Sequence, residues 1–212
     1  MTLAPPETVS VDLLRRRLAE ADVGARRAGL RIPRGDHDLN PGLAPPEHPT
    51  QAAVLVAVVD RAEGLTVLLT QRTRHLAAHA GQISFPGGHL EPDDVDAVAA
   101  ALRETEEEIG LPRARVEIIG RLDTYFTRTG FVVTPVVGVV TPPFELRPDP
   151  FEVEEAFEVP LAFVLDPAKR ERRARVFEGV ERHFWALPWG ERFIWGATAG
   201  MLVNLAEVVA RR

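Results

Sequence analysis

The stretch "FPGGHLEPDDVDAVAAALRETEEEIGL", residues 85–111, combines a turn, a helix and a cluster of carboxylates. Its Pro-Gly-Gly sequence indicates a tight turn, because glycine adopts backbone conformations that other residues avoid. The residues that follow predict a helix from Asp94 to Ile109, with proline and acidic residues suited to its start. We expect Asp94 to cap this helix, and Gly110 followed by Pro112 to end it.

The four glutamates of this helix do not share one face. At about 100° per residue, a helical wheel predicts a core-facing side and an opposite, acidic side. The core-facing residues are Val95, Val98, Ala99, Leu102 and Ile109. Glu104, Glu107 and Glu108 converge on the opposite side, with Arg103 at its margin. Glu106 falls beside the apolar side, and we expect it to reach water where the helix end frays.

Two interpretations of the acidic side are open, a solvated surface and a metal site. Like charges four residues apart cost about 0.2–0.5 kcal/mol per pair, and carboxylates near a helix C-terminus oppose the helix dipole. A divalent cation would offset this repulsion, and Mg²⁺ prefers hard oxygen ligands. We therefore predict a metal-binding cluster in which Arg103 holds the Glu107 carboxylate four residues later.

The composition of the whole chain limits its function. The 212 residues suit one main domain at residues 51–212, preceded by a helix and a Pro-rich linker at residues 1–50. The net charge of −6 disfavours nucleic-acid binding. The absence of cysteine excludes disulfides and thiolate metal sites, and it fits a cytoplasmic protein. The apolar runs are too short to span a bilayer, and the N-terminus lacks the features of a signal peptide.

The predicted elements indicate a mixed α/β fold of two or three layers. Helices are predicted at residues 10–29, 94–109, 161–167 and 194–212, with an irregular linker at residues 31–49. Strands are predicted at residues 51–60 and 65–72, which form a hairpin, and at residues 115–125, 131–140, 152–161, 173–179 and 182–189.

Residues 85–111 resemble the Nudix box, in which glycine and an acidic residue precede Arg-Glu-x-x-Glu-Glu-x-Gly and an aliphatic residue. The matching positions are Gly88, Arg103, Glu104, Glu107, Glu108, Gly110 and Leu111. Two positions depart from the pattern. Asp94 replaces the usual glutamate, one residue further from Arg103, and Thr105 replaces an aliphatic residue. Neither departure removes a carboxylate expected to bind metal.

The preceding residues 68–88, "LLTQRTRHLAAHAGQISFPGG", resemble an additional signature of the coenzyme A pyrophosphatases within that family. The matching positions are Leu68, Leu69, Thr70, Arg72, Gly81, Phe85, Pro86, Gly87 and Gly88. Thr73 replaces the usual Ser or Ala, and Ala77 replaces an arginine for which Arg74 or another arginine could substitute. Residues 127–138, 152–161 and 193–202 are also similar, so the resemblance runs from Ala52 to the C-terminus.

The resemblance implies an α/β/α sandwich with a mixed central sheet and a pyrophosphohydrolase that uses Mg²⁺ or Mn²⁺. Coenzyme A or its thioesters would be cleaved to 4′-phosphopantetheine and adenosine 3′,5′-bisphosphate. Glu104 and Glu108 would bind metal, with the Gly87 carbonyl as a further ligand. Glu107 would be a third ligand or would polarise the attacking water, while Arg103 would orient a glutamate. A homodimer is common for this fold.

Other residues receive roles from their position. Glu152 is either a ligand or general base, or an exposed strand residue. Arg72 is expected to bind a substrate phosphate. Gly81, Gln82 and Gly88 are assigned to the substrate pocket, whereas His79 is a loop residue and Trp195 belongs to the core or an interface. The alternative functions are hydrolysis of ADP-ribose or another nucleoside diphosphate derivative, a nucleotide sensor, and an acidic interaction domain.

Overall fold

The computed structural model describes residues 9–28, 33–44, 47–75 and 79–211, with side chains 23–28 excepted. Ala77 lies outside the described residues. The helices are α1 Val11–Ala28, α2 Ala97–Ile109, α3 Leu161–Leu165 and α4 Ala197–Ala210. The strands are β1 Arg34–Gly35, β2 Thr50–Arg61, β3 Gly64–Arg72, β4 Ile83–Ser84, β5 Gly87–His89, β6 Val116–Arg121, β7 Tyr125–Phe126, β8 Phe131–Val140, β9 Val153–Pro160, β10 Glu171–Phe177, β11 Val180–Trp189 and β12 Arg192–Trp195.

A mixed sheet, to which the described residues contribute nine strands, forms the centre of the fold. Strand β2 pairs with β8 in parallel and with β3 and β5 in antiparallel. The β2–β3 pairing from Val58–Val67 to Arg61–Gly64 confirms the predicted hairpin. Strands β10, β11 and β12 form a separate antiparallel sheet of the described residues.

Alternation along β2 sends its apolar side chains to two cores on opposite faces of the sheet. Ala53, Leu55, Ala57 and Val59 pack in the core that contains the buried residues of α2. Ala52, Val56 and Val58 pack in the core that contains Leu14 and Leu18 of α1 and the buried residues of α4. The sheet thus lies between helices, which confirms the predicted α/β/α architecture.

Helix α2 begins later than the sequence predicts. Its N-cap is Asp96, whose carboxylate accepts hydrogen bonds from the backbone N–H groups of Val98 and Ala99, both at 2.9 Å. The prediction that Asp94 caps the helix is therefore wrong. Val95 precedes the helix and is 92% exposed, so its placement on the core side is wrong as well.

The buried face of α2 is rotated from the predicted one. Its buried residues are Ala97, Ala100, Ala101, Thr105, Glu108 and Ile109. Small side chains let the helix lie close to the sheet, and the Thr105 hydroxyl donates to the Ala101 carbonyl at 2.6 Å, which satisfies it inside the core. The larger side chains of Val98 and Leu102 are only partly buried. Glu108 consequently points toward the sheet, whereas the wheel placed it on the side opposite the core.

The C-terminal turn of α2 keeps its hydrogen bonds and is not frayed. Gly110 adopts a left-handed conformation with φ 66°, and its N–H donates to the Glu106 carbonyl at 2.9 Å, as expected for a helix that ends at glycine. The Glu106 carboxylate accepts a hydrogen bond from Arg113 Nε at 2.8 Å. The expectation that fraying frees Glu106 is wrong, because Arg113 just beyond the helix neutralises it.

Residues before β2 pack against the large sheet. Helix α1 confirms the predicted N-terminal helix, and its Leu18 side chain lies so close to Gly120 of β6 that an added Cβ would be 2.9 Å away. Strand β1 pairs in parallel with β7, which extends the large sheet. The domain division at residue 50 stays a prediction.

Two further boundaries differ from the sequence prediction. The strand predicted at residues 115–125 is divided into β6 and β7, and α4 begins at Ala197 instead of residue 194. Trp195 therefore ends β12 and does not start a helix.

None of the helices in the described part of the chain is long and apolar enough to cross a membrane.

Candidate functional site

The Glu108 carboxylate lies where α2 meets the sheet. The residue is 5% exposed, and its Oε2 accepts a hydrogen bond from the Gly87 N–H at 3.1 Å while Arg72 Nη1 lies 3.5 Å from Oε1. Burial raises the pKa of Glu108 to about 7, despite the Gly87 N–H and Arg72, and the charges of Glu152 and Glu104 add to the rise. The negative charge at this position is therefore only partly compensated.

Glu104, one helical turn earlier, packs against the backbone of β5. An added Cβ on Gly88 would overlap the Glu104 carboxylate, with Oε1 at 2.6 Å. Glycine at this position thus lets the carboxylate lie directly on the strand. Burial raises the pKa of Glu104, Arg103 opposes the rise, and the charges of Glu107 and Glu152 add to it.

Arg103 connects the acidic residues around the helix. Its Nη1 donates to Glu104 Oε1 and to Glu107 Oε2, both at 3.1 Å, so the predicted contact with Glu107 is confirmed. Its Nη2 donates to Asp94 Oδ2 at 2.9 Å and to the His89 carbonyl at 3.2 Å. The bonds from Arg103 and from a backbone N–H hold the pKa of Asp94 below its usual range. Asp94 therefore anchors Arg103 instead of capping the helix.

Glu107 and Glu152 lie at the exposed side of this cluster. The Glu107 side chain is 62% exposed, and Glu152 is exposed directly before β9. Glu152 nevertheless acts electrostatically on both Glu104 and Glu108. The structure thus brings together the carboxylates that the sequence singled out. Glu108 is the buried member of this cluster and Glu107 an exposed one.

The cluster has the chemistry of a cation site without a preformed cage. Within residues 9–28, 33–44, 47–75 and 79–211, no three His, Asp or Glu side chains are gathered closely enough to enclose a metal ion. Two carboxylates one turn apart, each with a pKa raised by burial, do offer hard oxygen donors whose repulsion a divalent cation would relieve. The residues present fit such a cation.

Arg72 and Gly87, which contact Glu108, also line a cavity of about 370 Å³. Further along the cavity lie residues of β11, β12, the β7–β8 turn and the N-terminal segment. Its aromatic walls are Phe85, Phe177, Phe184 and Trp195, and its cationic walls are Arg72, Arg128 and Arg182. The carboxylate cluster and a cavity of ligand size therefore share walls.

The predicted pocket residues divide into two groups. Gln82 lines the cavity, and its Oε1 lies 2.8 Å from His79 Nδ1, so the loop histidine also reaches the site. Gly81 and Gly88 do not line it. Gly81 has φ 68° in the turn before β4, where a side chain would be strained. Arg74 is exposed and lies outside the cavity wall, and its substitution for the arginine missing at position 77 stays a prediction.

Several cavity residues were not predicted. The Trp195 ring lies edge-on to Phe184 with centroids 5.2 Å apart, and both line the cavity, a position that the assignment of Trp195 to the core or an interface did not include. Arg128 and Arg182 come from segments more than fifty residues apart in sequence. Arg128 follows a strand of the large sheet and Arg182 lies in the separate one, so only the packing of the two sheets brings them to one cavity and no local sequence pattern indicates it.

The family model described as NUDIX domain matches residues 49–180, a range that contains the whole carboxylate cluster. The chain belongs to the Nudix family. The "Uncharacterized Nudix hydrolase NudL" of Escherichia coli (strain K12 / DH10B) is 46% identical over 158 residues, which cover 74% of this chain and 81% of that protein. The protein with the same description from Escherichia coli O1:K1 / APEC is 45% identical over the same length.

A solved structure of an Ap4A hydrolase from C. elegans is similar to the Nudix chain at 25% identity. It covers 52% of this chain and 80% of that one with a TM-score of 0.46, too low to carry an argument about the site. Family membership itself makes the chain a hydrolase of nucleoside diphosphate derivatives that acts on pyrophosphate bonds. Nudix hydrolases generally use divalent metal ions.

Two adjacent glycines of this Nudix site offer a matched pair of substitutions. Gly88→Ala is expected to leave folding intact, because the added Cβ meets only the movable end of Glu104. Displacing that carboxylate should lower kcat about 10- to 100-fold. Gly87→Ala is expected to destabilise the fold by at least about 2 kcal/mol, since φ is 145° and the Cβ would meet backbone atoms of Ala53 and Val54. Urea unfolding and steady-state kinetics separate the two effects, and full activity in Gly88→Ala would contradict this account of Glu104.

Proposed function

We propose that this Nudix chain hydrolyses the diphosphate of coenzyme A or its thioesters, releasing 4′-phosphopantetheine and adenosine 3′,5′-bisphosphate. The observation that carries the proposal is the shared wall between the carboxylates and the cavity. Arg72 and Gly87 contact Glu108 on one side and line the cavity on the other. Arg72, Gly81, Phe85, Pro86 and Gly87 are also matches to the coenzyme A pyrophosphatase signature, which supports this substrate.

Mg²⁺ or Mn²⁺ would be held by Glu104 and Glu108, with Glu107 or the Gly87 carbonyl as a further ligand. When bound, the ion lowers the pKa of a coordinated water and neutralises charge on the leaving phosphate. Arg72 binds a diphosphate oxygen at the cavity wall. Arg103 keeps Glu104 and Glu107 in place, since it donates to both.

The group that activates the attacking water is either Glu107 or Glu152. Glu107→Gln is expected to lower kcat about 10²-fold or more without changing Tm, because the side chain is 62% exposed and contributes little to packing. Glu152→Gln measured in parallel identifies the base as the residue with the larger loss. If neither variant loses more than twofold in kcat, both assignments are wrong.

The principal rival is a Nudix hydrolase of ADP-ribose or another nucleoside diphosphate derivative, supported by Ala77 in place of the usual arginine. Values of kcat/KM for coenzyme A, acetyl-coenzyme A and ADP-ribose, with excess Mg²⁺ and then Mn²⁺, discriminate between the two. We expect the coenzyme A compounds to be preferred. Faster turnover of ADP-ribose would overturn the substrate assignment while leaving the Nudix chemistry intact.

A homodimer and a cytoplasmic location stay predictions from the sequence.

A further inference from the structure

Three arginines come together where β10 and β11 border the cavity, and two of them lie over the Phe177 ring. The guanidinium of Arg128 lies 5.2 Å from the centroid of the Phe177 ring, and that of Arg175 lies 5.6 Å from it. Arg182 is the direct partner of Arg175 across the β10–β11 pair. Like charges directly opposite on paired strands are destabilising, and cation–π contacts offset this only in part. The arrangement therefore carries a local cost that a bound anion would remove.

The acidic groups near this cluster leave much of its charge uncompensated. The carboxylate of Glu178 lies 3.9 Å from Arg128 Nη1, and its side chain is 90% exposed, so the pair is weak. Asp36 lines the cavity as well, but its Oδ1 accepts from the Tyr125 hydroxyl at 2.8 Å and its Oδ2 from the Arg128 backbone N–H at 2.7 Å. Asp36 thus fixes the turn that carries Arg128, and both of its carboxylate oxygens already accept hydrogen bonds from the protein.

The position of the cluster relates it to the substrate. Arg128 and Arg182 line the same cavity as Arg72, whose guanidinium contacts the Glu108 carboxylate. Phe177 and Phe184 of the hairpin line the cavity beside them, so one surface combines aromatic rings with cations. Such a surface suits a nucleoside that carries its own phosphate, because rings pack on the base and arginines bind the anion.

We propose that Arg128 and Arg182 form a second anion subsite that binds a phosphate monoester on the nucleoside half of the substrate. This inference rests on the proposed function, under which that group is the 3′-phosphate of coenzyme A. The subsite would distinguish coenzyme A from 3′-dephospho-coenzyme A and from ADP-ribose, which share the diphosphate but lack this phosphate. Arg175 adds positive potential from outside the cavity wall.

The test compares kcat/KM for coenzyme A with that for 3′-dephospho-coenzyme A, in excess Mg²⁺, for the full chain. Arg182→Gln and Arg128→Gln are each expected to lower the ratio of the two values about 10-fold or more, through a higher KM for coenzyme A. Arg173→Gln is the matched control. Arg173 lies on the same hairpin outside the cavity wall and pairs with Glu171 at 2.6 Å, so the ratio should stay within about twofold of wild type. Thermal unfolding of each variant checks that the hairpin remains folded.

A binding measurement separates failure of the subsite from failure of the proposed function. Calorimetry with adenosine 3′,5′-bisphosphate and AMP needs no turnover, and wild type should bind the bisphosphate about 10-fold more tightly, a preference that Arg182→Gln removes. If wild type hydrolyses neither coenzyme A compound but keeps this preference, the proposed function is wrong and the subsite stands. An unchanged kinetic ratio in both glutamine variants, or inorganic phosphate bound as tightly as the bisphosphate, would overturn the subsite.

Discussion

Glu108→Gln is expected to lower kcat for coenzyme A on the order of 10³-fold while the protein remains folded. The carboxylate is the innermost donor of the proposed cation site, and loss of such a ligand removes several kcal/mol of transition-state stabilisation. Glutamine keeps an oxygen that can accept the Gly87 N–H, which lies 3.1 Å from Oε2 in the native site. A neutral amide also costs less to bury than a charge, so Tm without metal should be unchanged or higher. The rise of Tm with added Mg²⁺ or Mn²⁺ should shrink in the same variant.

Glu106→Gln is the control for this result, since it makes the same change in the same helix. Its carboxylate pairs with Arg113 and takes no part in the Arg103 network. We expect kcat within about twofold of wild type and a normal Tm rise with metal, because a single exposed pair contributes little. Equal losses of activity in both variants would show that the helix, and not the site, is what the substitutions disturb.

Arg72→Gln is expected to reduce kcat/KM for coenzyme A about 10²-fold. Its guanidinium lies at the junction of the cavity and Glu108, where it can bind a diphosphate oxygen with charge-assisted hydrogen bonds worth about 1.5–3 kcal/mol each. Arg72→Lys should recover only part of the loss, since an ammonium cannot bind two oxygens in the planar manner of arginine.

Arg74→Gln supplies the matched control two residues further along the chain. Arg74 is exposed and lies outside the cavity wall, so kcat/KM should be unchanged within about twofold. A loss in Arg74→Gln as large as that in Arg72→Gln would contradict the assignment of the phosphate contact to Arg72.

The sequence predicts the architecture well where short-range rules decide it. The β2–β3 hairpin and the end of α2 at Gly110 follow from strand patterns and from glycine at a helix C-terminus. The helical wheel fails because it treats Val95 as a core residue, whereas the cap at Asp96 excludes it and alanines face the sheet. Hydrophobicity alone does not reveal that a helix packs through its smallest side chains.

The sequence identifies the residues of the site better than it predicts the burial and the partners of each one. The box pattern places Glu104, Glu107 and Glu108 close together, but the burial of Glu108 depends on how α2 lies on β5. Arg113 as the partner of Glu106, and Arg182 in the cavity, depend on contacts between segments that no motif connects.

Mass-spectrometric identification of the products from coenzyme A, with and without Mg²⁺ or Mn²⁺, tests the central claim most directly. We expect stoichiometric 4′-phosphopantetheine and adenosine 3′,5′-bisphosphate, whose release requires both the metal and Glu108. Coenzyme A left intact by wild-type protein with metal present, under conditions in which ADP-ribose is cleaved, would contradict it.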